Sequence, residues 1–234
     1  MSIIADAEVV AELAAFGIRA FTTTRASGTF GTQSEEPARV VMGRWDQLRA
    51  ELRSGGSRFA TASQVHGNRV IVHGGDWDGW LRADEADAHA SIERGTALAV
   101  TIADCVPVFV AHPSGAIALL HSGWRGTAAR IVERGIDALA HRGCPAAELR
   151  VHLGPAICGK CYEVSADVAR QLTGRHFGGP TTVDLRALIA EQARAASVRH
   201  VSATSSCTRC DNDRFFSHRA GDAGRQLAVM IADM

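Results

Sequence analysis

Long apolar runs without polar alternation dominate the middle of the chain. Residues 96–103, 106–111 and 116–120 each carry one, and such runs, bounded by turn residues, predict strands covered on both faces. His112-Pro113-Ser114-Gly115 supplies the turn between the last two. Shorter segments predict strands at 16–24, 59–65, 69–72, 149–153 and 200–203. A three-to-four-residue rhythm marks 40–52, through Val41, Trp45 and Leu48, and 128–140, where Ile131, Val132, Ile136 and Leu139 share a face. Helices are also predicted at 165–173, 185–195 and 223–232, a polar loop at 27–36, and an acidic, tryptophan-containing surface loop at 74–87. Strands and helices mix without strict alternation and no internal repeat is present. The pattern predicts one mixed α/β domain over residues 1–234, with layered sheets rather than a doubly wound dinucleotide fold.

Composition narrows the function classes. With 25 basic and 25 acidic residues the chain has no strong field that would point to nucleic acid or an anionic membrane. Its 234 residues, 46% hydrophobic, can build a core without disulfide staples. The first eight residues have neither the basic nor the apolar region of a signal peptide. No apolar run reaches the ~18 residues that cross a bilayer. A cytoplasmic protein is expected, its six cysteines reduced and available to metals, catalysis or the core.

Three side chains sit where apolar strands give way to polar, glycine-rich chain. They are His66 in Gln64-Val65-His66-Gly67, Cys105 in Ala103-Asp104-Cys105, and His121 in His121-Ser122-Gly123-Trp124-Arg125-Gly126-Thr127. Two imidazoles and a thiolate suit a three-ligand metal site whose fourth position stays open, as in catalytic zinc centres. Zinc fits a mixed His/Cys set best. A nucleophilic Cys105 activated by His121 or His66 is the rival chemistry, and both need a thiol of low pKa. Taken singly, each residue also reads as an ordinary loop histidine or a buried thiol. Thr127 stands as N-cap of the 128–140 helix, and backbone N–H groups there with Arg125 would suit a phosphate. Trp124 is placed either to stack on a planar base or to cover a helix end.

A second dense segment runs from Gly154 to Val164. Tyr162, the one tyrosine of the chain, and Glu163 precede a helix; Glu163 reads either as a general acid/base or as a first-turn carboxylate. Cys158/Cys161 and Cys207/Cys210 are two CxxC pairs, which can form a structural zinc site, although their separation exceeds that of a compact zinc ribbon. No thioredoxin-like context surrounds either pair. Phe215 and Phe216 read as core, Arg214 and Arg219 as cleft residues, and the other histidines, His73 and His89 among them, have no motif context.

These motifs in this order, with Gly154-Pro155-Ala156-Ile157, Cys161-Tyr162-Glu163-Val164, Cys207-Thr208 and Phe215-Phe216-Ser217-His218-Arg219 through Gly224-Arg225-Gln226, closely resemble the YfiH-like family, long labelled polyphenol oxidase or laccase-domain proteins. The resemblance runs from about residue 21 to 234. It implies a single α/β/β/α sandwich and a zinc held by His66, Cys105 and His121. It also implies purine nucleoside chemistry: phosphorolysis of adenosine, inosine and methylthioadenosine, and hydrolytic deamination of adenosine. Purine nucleoside and phosphate are then the expected partners, with Gln64, Trp124, Arg125 and Arg25 toward the substrate and Asp104 or Glu163 moving the proton. A multicopper oxidase needs histidines in paired His-x-His spacing, and the sequence has none. Two rivals remain: a Cys105/His121 amidohydrolase acting on peptidoglycan precursors, and a nucleoside-binding protein without catalysis. The chain departs from the family pattern after Arg25, where the usual Asn-Leu-Gly run is missing, at Lys160, which replaces a cysteine, and at Cys210, an addition. The sequence is silent on oligomeric state.

Overall fold

The computed structural model describes residues 2–234. Two six-stranded mixed sheets stack face to face, with helices on both outer surfaces. The strands are β1 (Glu8–Val9), β2 (Ile18–Thr22), β3 (Arg58–Ala62), β4 (Val70–His73), β5 (Gly79–Ala83), β6 (Ala88–Ser91), β7 (Thr96–Ile102), β8 (Val106–Ala111), β9 (Ile117–Ser122), β10 (Arg150–Leu153), β11 (Glu163–Val164), β12 (Thr181–Thr182), β13 (His200–Ala203) and β14 (Gln226–Ala232). The first sheet runs β1-β2-β14-β7-β3-β5 and the second β13-β10-β8-β9-β6-β4; β11 and β12 make a small ribbon. The helices are α1 (Ala38–Leu52), α2 (Trp124–Ala128), α3 (Ile131–Ala140), α4 (Ala166–Thr173) and α5 (Leu185–Ala195). No helix among the described residues is long and apolar enough to cross a membrane.

Why the central strands read as continuous apolar runs is visible in their burial. In β7, Leu98, Val100 and Ile102 pack into the seam between the sheets, where they meet Phe109, Ile117 and Leu119 of β8 and β9. The alternate residues Ala97 and Ala99 face α1, beside Val41, Trp45 and Leu48. On the far side Val108, Val110 and Leu120 lie against Ile131, Ile136 and Leu139 of α3 and Ile189 of α5. Each such side chain removed from water contributes roughly 1.5–3 kcal/mol. Both faces of the inner strands are therefore apolar, as in sheets covered on two sides.

Three expectations are corrected. Residues 223–232 are not a helix: 226–232 form β14, in the middle of the first sheet between β2 and β7. Leu227, Val229 and Ile231 face α1 while Ala228 and Met230 face the second sheet, so a two-residue period hides inside an all-apolar run. Tertiary burial overrides the helix preference of Leu, Ala and Met. The acidic segment 74–87 is not only loop: it contains β5, parallel to β3, whose Trp80 stacks on Trp45 at 5.2 Å, and its last residue, Asp87, is fully buried. The predicted 128–140 helix is broken at Ala129–Arg130, where Arg130 takes φ 58°, a left-handed conformation that ends α2 before α3 starts. Thr127 is accordingly no N-cap. Its hydroxyl lies inside α2 and donates to the Gly123 carbonyl at 2.9 Å.

Candidate active site

The first sheet contributes three parallel strands, β3, β5 and β7, and each is followed by a strand of the second sheet, β4, β6 and β8. The chain thus crosses between sheets three times at the same end. His66 lies in the first crossing, Asp87 in the second, and Asp104 and Cys105 in the third. His121 reaches the same place from β9, the neighbour of both β6 and β8. Loops at the carboxyl ends of parallel strands are where open α/β folds assemble sites.

The geometry of the crossings is unusual for non-glycine residues. His66 has φ 60° and Asp104 φ 80°, both left-handed, a conformation that costs energy and clusters at functional positions. Asp87 holds the first in place. Its carboxylate accepts from the backbone N–H groups of Val65 (3.1 Å), His66 (2.9 Å) and Gly67 (2.7 Å), and from His121 Nδ1 at 2.8 Å. The Gln64 side chain fixes the start of the same loop: its carbonyl oxygen accepts from Thr101 N and Oγ1, and its amide donates to Thr101 O.

His66, Cys105 and His121 each offer one donor atom, and these atoms lie within 4.8 Å of one another. The His66 and His121 rings meet edge to face, 4.8 Å between centroids. His121 is buried, Cys105 half-buried and His66 exposed, so the cluster has one wet side. Gly123 makes the approach possible, since a Cβ there would stand 2.8 Å from Cys105 Sγ and 3.2 Å from His66 Cδ2. The donor set fits a borderline metal such as zinc, and the Asp87–His121 hydrogen bond occupies Nδ1 and leaves Nε2 as the free nitrogen, the arrangement common behind metal-bound histidines.

Electrostatics agree with the geometry. Burial pushes the Cys105 thiol up, but His121 and His66 outweigh it and hold it at about 6. Burial pushes His121 down, while the Cys105 charge and the Asp87 carboxylate raise it to about 9. Asp87 itself is pushed up by burial and pulled further down by His121 and the backbone donors, so it stays below the usual carboxylate range. Near neutral pH the cluster holds a Cys105 thiolate beside a charged His121 imidazole.

The remaining sequence candidates take other positions. Asp104 is buried with its carboxylate occupied: Oδ1 accepts from Thr208 Oγ1 (2.6 Å) and Ser217 Oγ (2.7 Å), and Oδ2 from Arg219 N (2.7 Å). Arg25 donates to Asn212 O, Phe215 O and the Asp222 carboxylate, and lies over the Phe216 ring. Arg125 is exposed at the surface of α2, its guanidinium 4.4 Å from the Trp124 ring centroid. Glu163 is exposed on β11, and its backbone carbonyl accepts from Arg219. Arg219 also covers the Tyr162 ring at 5.1 Å, whereas Arg214 turns to Glu8. Phe215 and Phe216 are core, as expected. Burial, with the Cys105 charge adding to it, raises the Tyr162 phenol to about 12, so it keeps its proton at neutral pH.

Sequence reading missed Asp87, placed at the end of a surface loop, and left Tyr162, Thr208 and Ser217 in motifs without a role in this neighbourhood.

Two stacked mixed sheets, helices outside and a His/Cys/His cluster at the crossings define a class of α/β sandwich. The chain belongs to the YfiH-like family: residues 19–233 match the family model described as multi-copper polyphenol oxidoreductase laccase. A purine nucleoside phosphorylase of Mycobacterium tuberculosis is 34% identical over 231 residues, covering 91% of each chain. An adenosine deaminase of an unknown prokaryotic organism is 33% identical over 147 residues, 57% of this chain and 56% of its own. The fold is that of the crystal structure of Bacillus licheniformis YfiH, with TM-score 0.84, 23% identity and 95% of each chain covered.

Proposed function

We propose that this chain is a zinc-dependent purine nucleoside phosphorylase that also deaminates adenosine, working as one YfiH-like domain. The observation that carries the reading is the convergence of His66, Cys105 and His121 around a half-open position, with Asp87 orienting His121. The purine nucleoside phosphorylase and adenosine deaminase among its relatives support the substrate class. The family description speaks of several coppers, yet among the described residues only one group of potential ligands contains histidine.

Zinc held by the three residues would supply a Lewis acid at the substrate. The protein's own groups do the rest. Arg125, free of acidic partners and exposed beside Trp124, binds phosphate for attack on the ribose C1′. Trp124 offers its ring to the planar base. With the Asp104 oxygens occupied by three donors, Asp104 positions the Cys105 crossing, and Glu163 is left as the carboxyl group that moves the proton, to purine N7 in phosphorolysis. Tyr162 keeps its phenol proton and serves as a hydrogen-bond donor. Gln64 and Arg25, both engaged inside the protein, shape the walls rather than grip substrate.

Chromatography of products from adenosine, with and without phosphate, on zinc-quantified protein tests the reading. Adenine and ribose 1-phosphate formed only with phosphate, or inosine formed without it, support it; no turnover by zinc-loaded protein rejects it. One observation favours a second reading, a Cys105 nucleophile of the amidohydrolase type: His121 and His66 alone hold the thiol down to about 6. Rapid alkylation of Cys105 in zinc-loaded protein would favour that reading, and protection by zinc the first.

A further inference from the structure

The structure brings together four cysteines that the chemistry above does not use. Cys158, Cys161, Cys207 and Cys210 are all free thiols, and their sulfurs lie within 4.8 Å of one another. The two CxxC pairs are far apart in sequence, yet the fold sets them in register. β10 and β13 are parallel neighbours, Leu153 opposite Ala203, so the segments leaving them run side by side and pair again at Ala156 and Cys207. Cys158 then meets Cys207 and Cys161 meets Cys210, each pair 49 residues apart. A separation too long for a compact zinc ribbon is bridged by the sheet.

We propose that Cys158, Cys161, Cys207 and Cys210 form a second metal site, a closed four-thiolate zinc centre that ties the 154–162 segment to the 204–210 segment. Zinc about 2.3 Å from four tetrahedral sulfurs sets them about 3.8 Å apart, and Cys161 and Cys210 already stand at 3.5 Å. A disulfide needs about 2 Å and would use two of the four sulfurs; the cluster offers all four on one centre. The Cys207 sulfur has the hydrogen bonding that a bound thiolate needs, one donor from each turn. The Cys158 N–H donates to Cys207 Sγ at 3.2 Å and the Cys210 N–H donates to the same sulfur at 3.5 Å. Four thiolates around one divalent ion leave two negative charges, and each turn carries one exposed cation, Lys160 and Arg209. Each thiol gives up its proton as its metal–sulfur bond forms, so binding strengthens as pH rises.

The placement gives the centre a purpose. The 154–162 segment donates from Ile157 N to the Asp104 carbonyl (3.1 Å), and the 204–210 segment donates from Thr208 Oγ1 to the Asp104 carboxylate (2.6 Å). Both therefore brace the strained residue next to Cys105. With all four positions filled by protein the ion is closed to substrate, and its role is to buttress.

Zinc content per chain, measured by mass spectrometry on protein purified under reducing conditions, tests this independently of the nucleoside reading. Wild-type protein is expected to hold two zinc ions, and a His66→Ala/His121→Ala variant one. Cobalt substituted into that variant should show the strong visible absorption of tetrahedral four-thiolate coordination. A Cys161→Ser/Cys210→Ser variant should hold one ion and lose stability. The proposal is overturned if the His66→Ala/His121→Ala protein, which keeps all four cysteines, is metal-free, or if its cobalt spectrum lacks thiolate bands. A folded Cys161→Ser/Cys210→Ser protein with wild-type zinc content would also overturn it.

Discussion

The two cysteine-bearing clusters sit on neighbouring elements but differ in every property that decides what a metal site does. At His66, Cys105 and His121 the donors are mixed, one of them is exposed, and a buried carboxylate orients the second histidine from behind. At the four cysteines the donors are identical, two short turns supply them, and no coordination position is left over. The first arrangement leaves room for a reactant, and its strain is held by Asp87 and Asp104; the second can only fasten. Chemistry and fastening meet at Asp104, whose left-handed backbone sits beside Cys105 while its oxygens hold Thr208, Ser217 and Arg219.

Substitutions can break that contrast, beginning with the largest effect. His121→Ala should abolish nucleoside turnover while leaving the chain folded, as circular dichroism and product assays would show; retained turnover would place the chemistry elsewhere. Gly123→Ala drives a methyl group against Cys105 Sγ and His66, and a misplacement on that scale costs about 10²-fold in rate. Steady-state kinetics at wild-type zinc loading would reveal it. Asp87→Asn keeps the shape but removes the charge behind His121, so metal affinity read by chelator competition should fall about 10–100-fold. Cys161→Ser/Cys210→Ser should do the reverse, lowering stability by more than about 3 kcal/mol while changing the rate less than either site substitution. Denaturant unfolding and kinetics on the same protein separate the two.

The smallest effect concerns the buried pair behind the site. His73 Nε2 and His89 Nδ1 are 2.9 Å apart, and burial, followed by the His73 charge, lowers His89 to about 3; burial also lowers His73. Both folded values lie below the unfolded one of about 6.5. As pH falls below about 6.5 the unfolded chain binds protons that the folded chain refuses, so stability declines from there toward about pH 3. His89 contributes a slope of about 1 kcal/mol per pH unit over that range, and His73 adds a loss of the same sign. Denaturant midpoints at pH 7 and pH 5 should differ accordingly, and His89→Gln should flatten the difference.

The candidate site residues were more legible in the sequence than the frame that aims them. His66 and His121 stood at strand ends near glycine and Cys105 between two apolar runs, and the structure brings all three together. β7, β8 and β9 were also evident, because runs that length can only be covered on both faces. The 226–232 segment was not, since an all-apolar run of Leu, Ala, Val and Met fits a buried helix as well as a central strand, and only pairing with β2 and β7 decides between them. Asp87 hid in an acidic stretch that looked like solvent-exposed loop, because burial of a carboxylate becomes visible only with its four donors in place. Asp104 and Arg25 were legible as important residues, and each is a hub of internal hydrogen bonds that only the folded chain reveals. The two CxxC pairs stood farther apart than a compact zinc ribbon allows, and the parallel pairing of β10 and β13 is what brings them together.

The most direct test of the account is Cys105→Ala, assayed for zinc per chain and for adenosine products in one preparation. Loss of one zinc ion together with loss of adenine and inosine formation is the expected result. A Cys105→Ala protein that keeps its full zinc and its turnover would contradict the assignment of His66, Cys105 and His121 as the reactive centre.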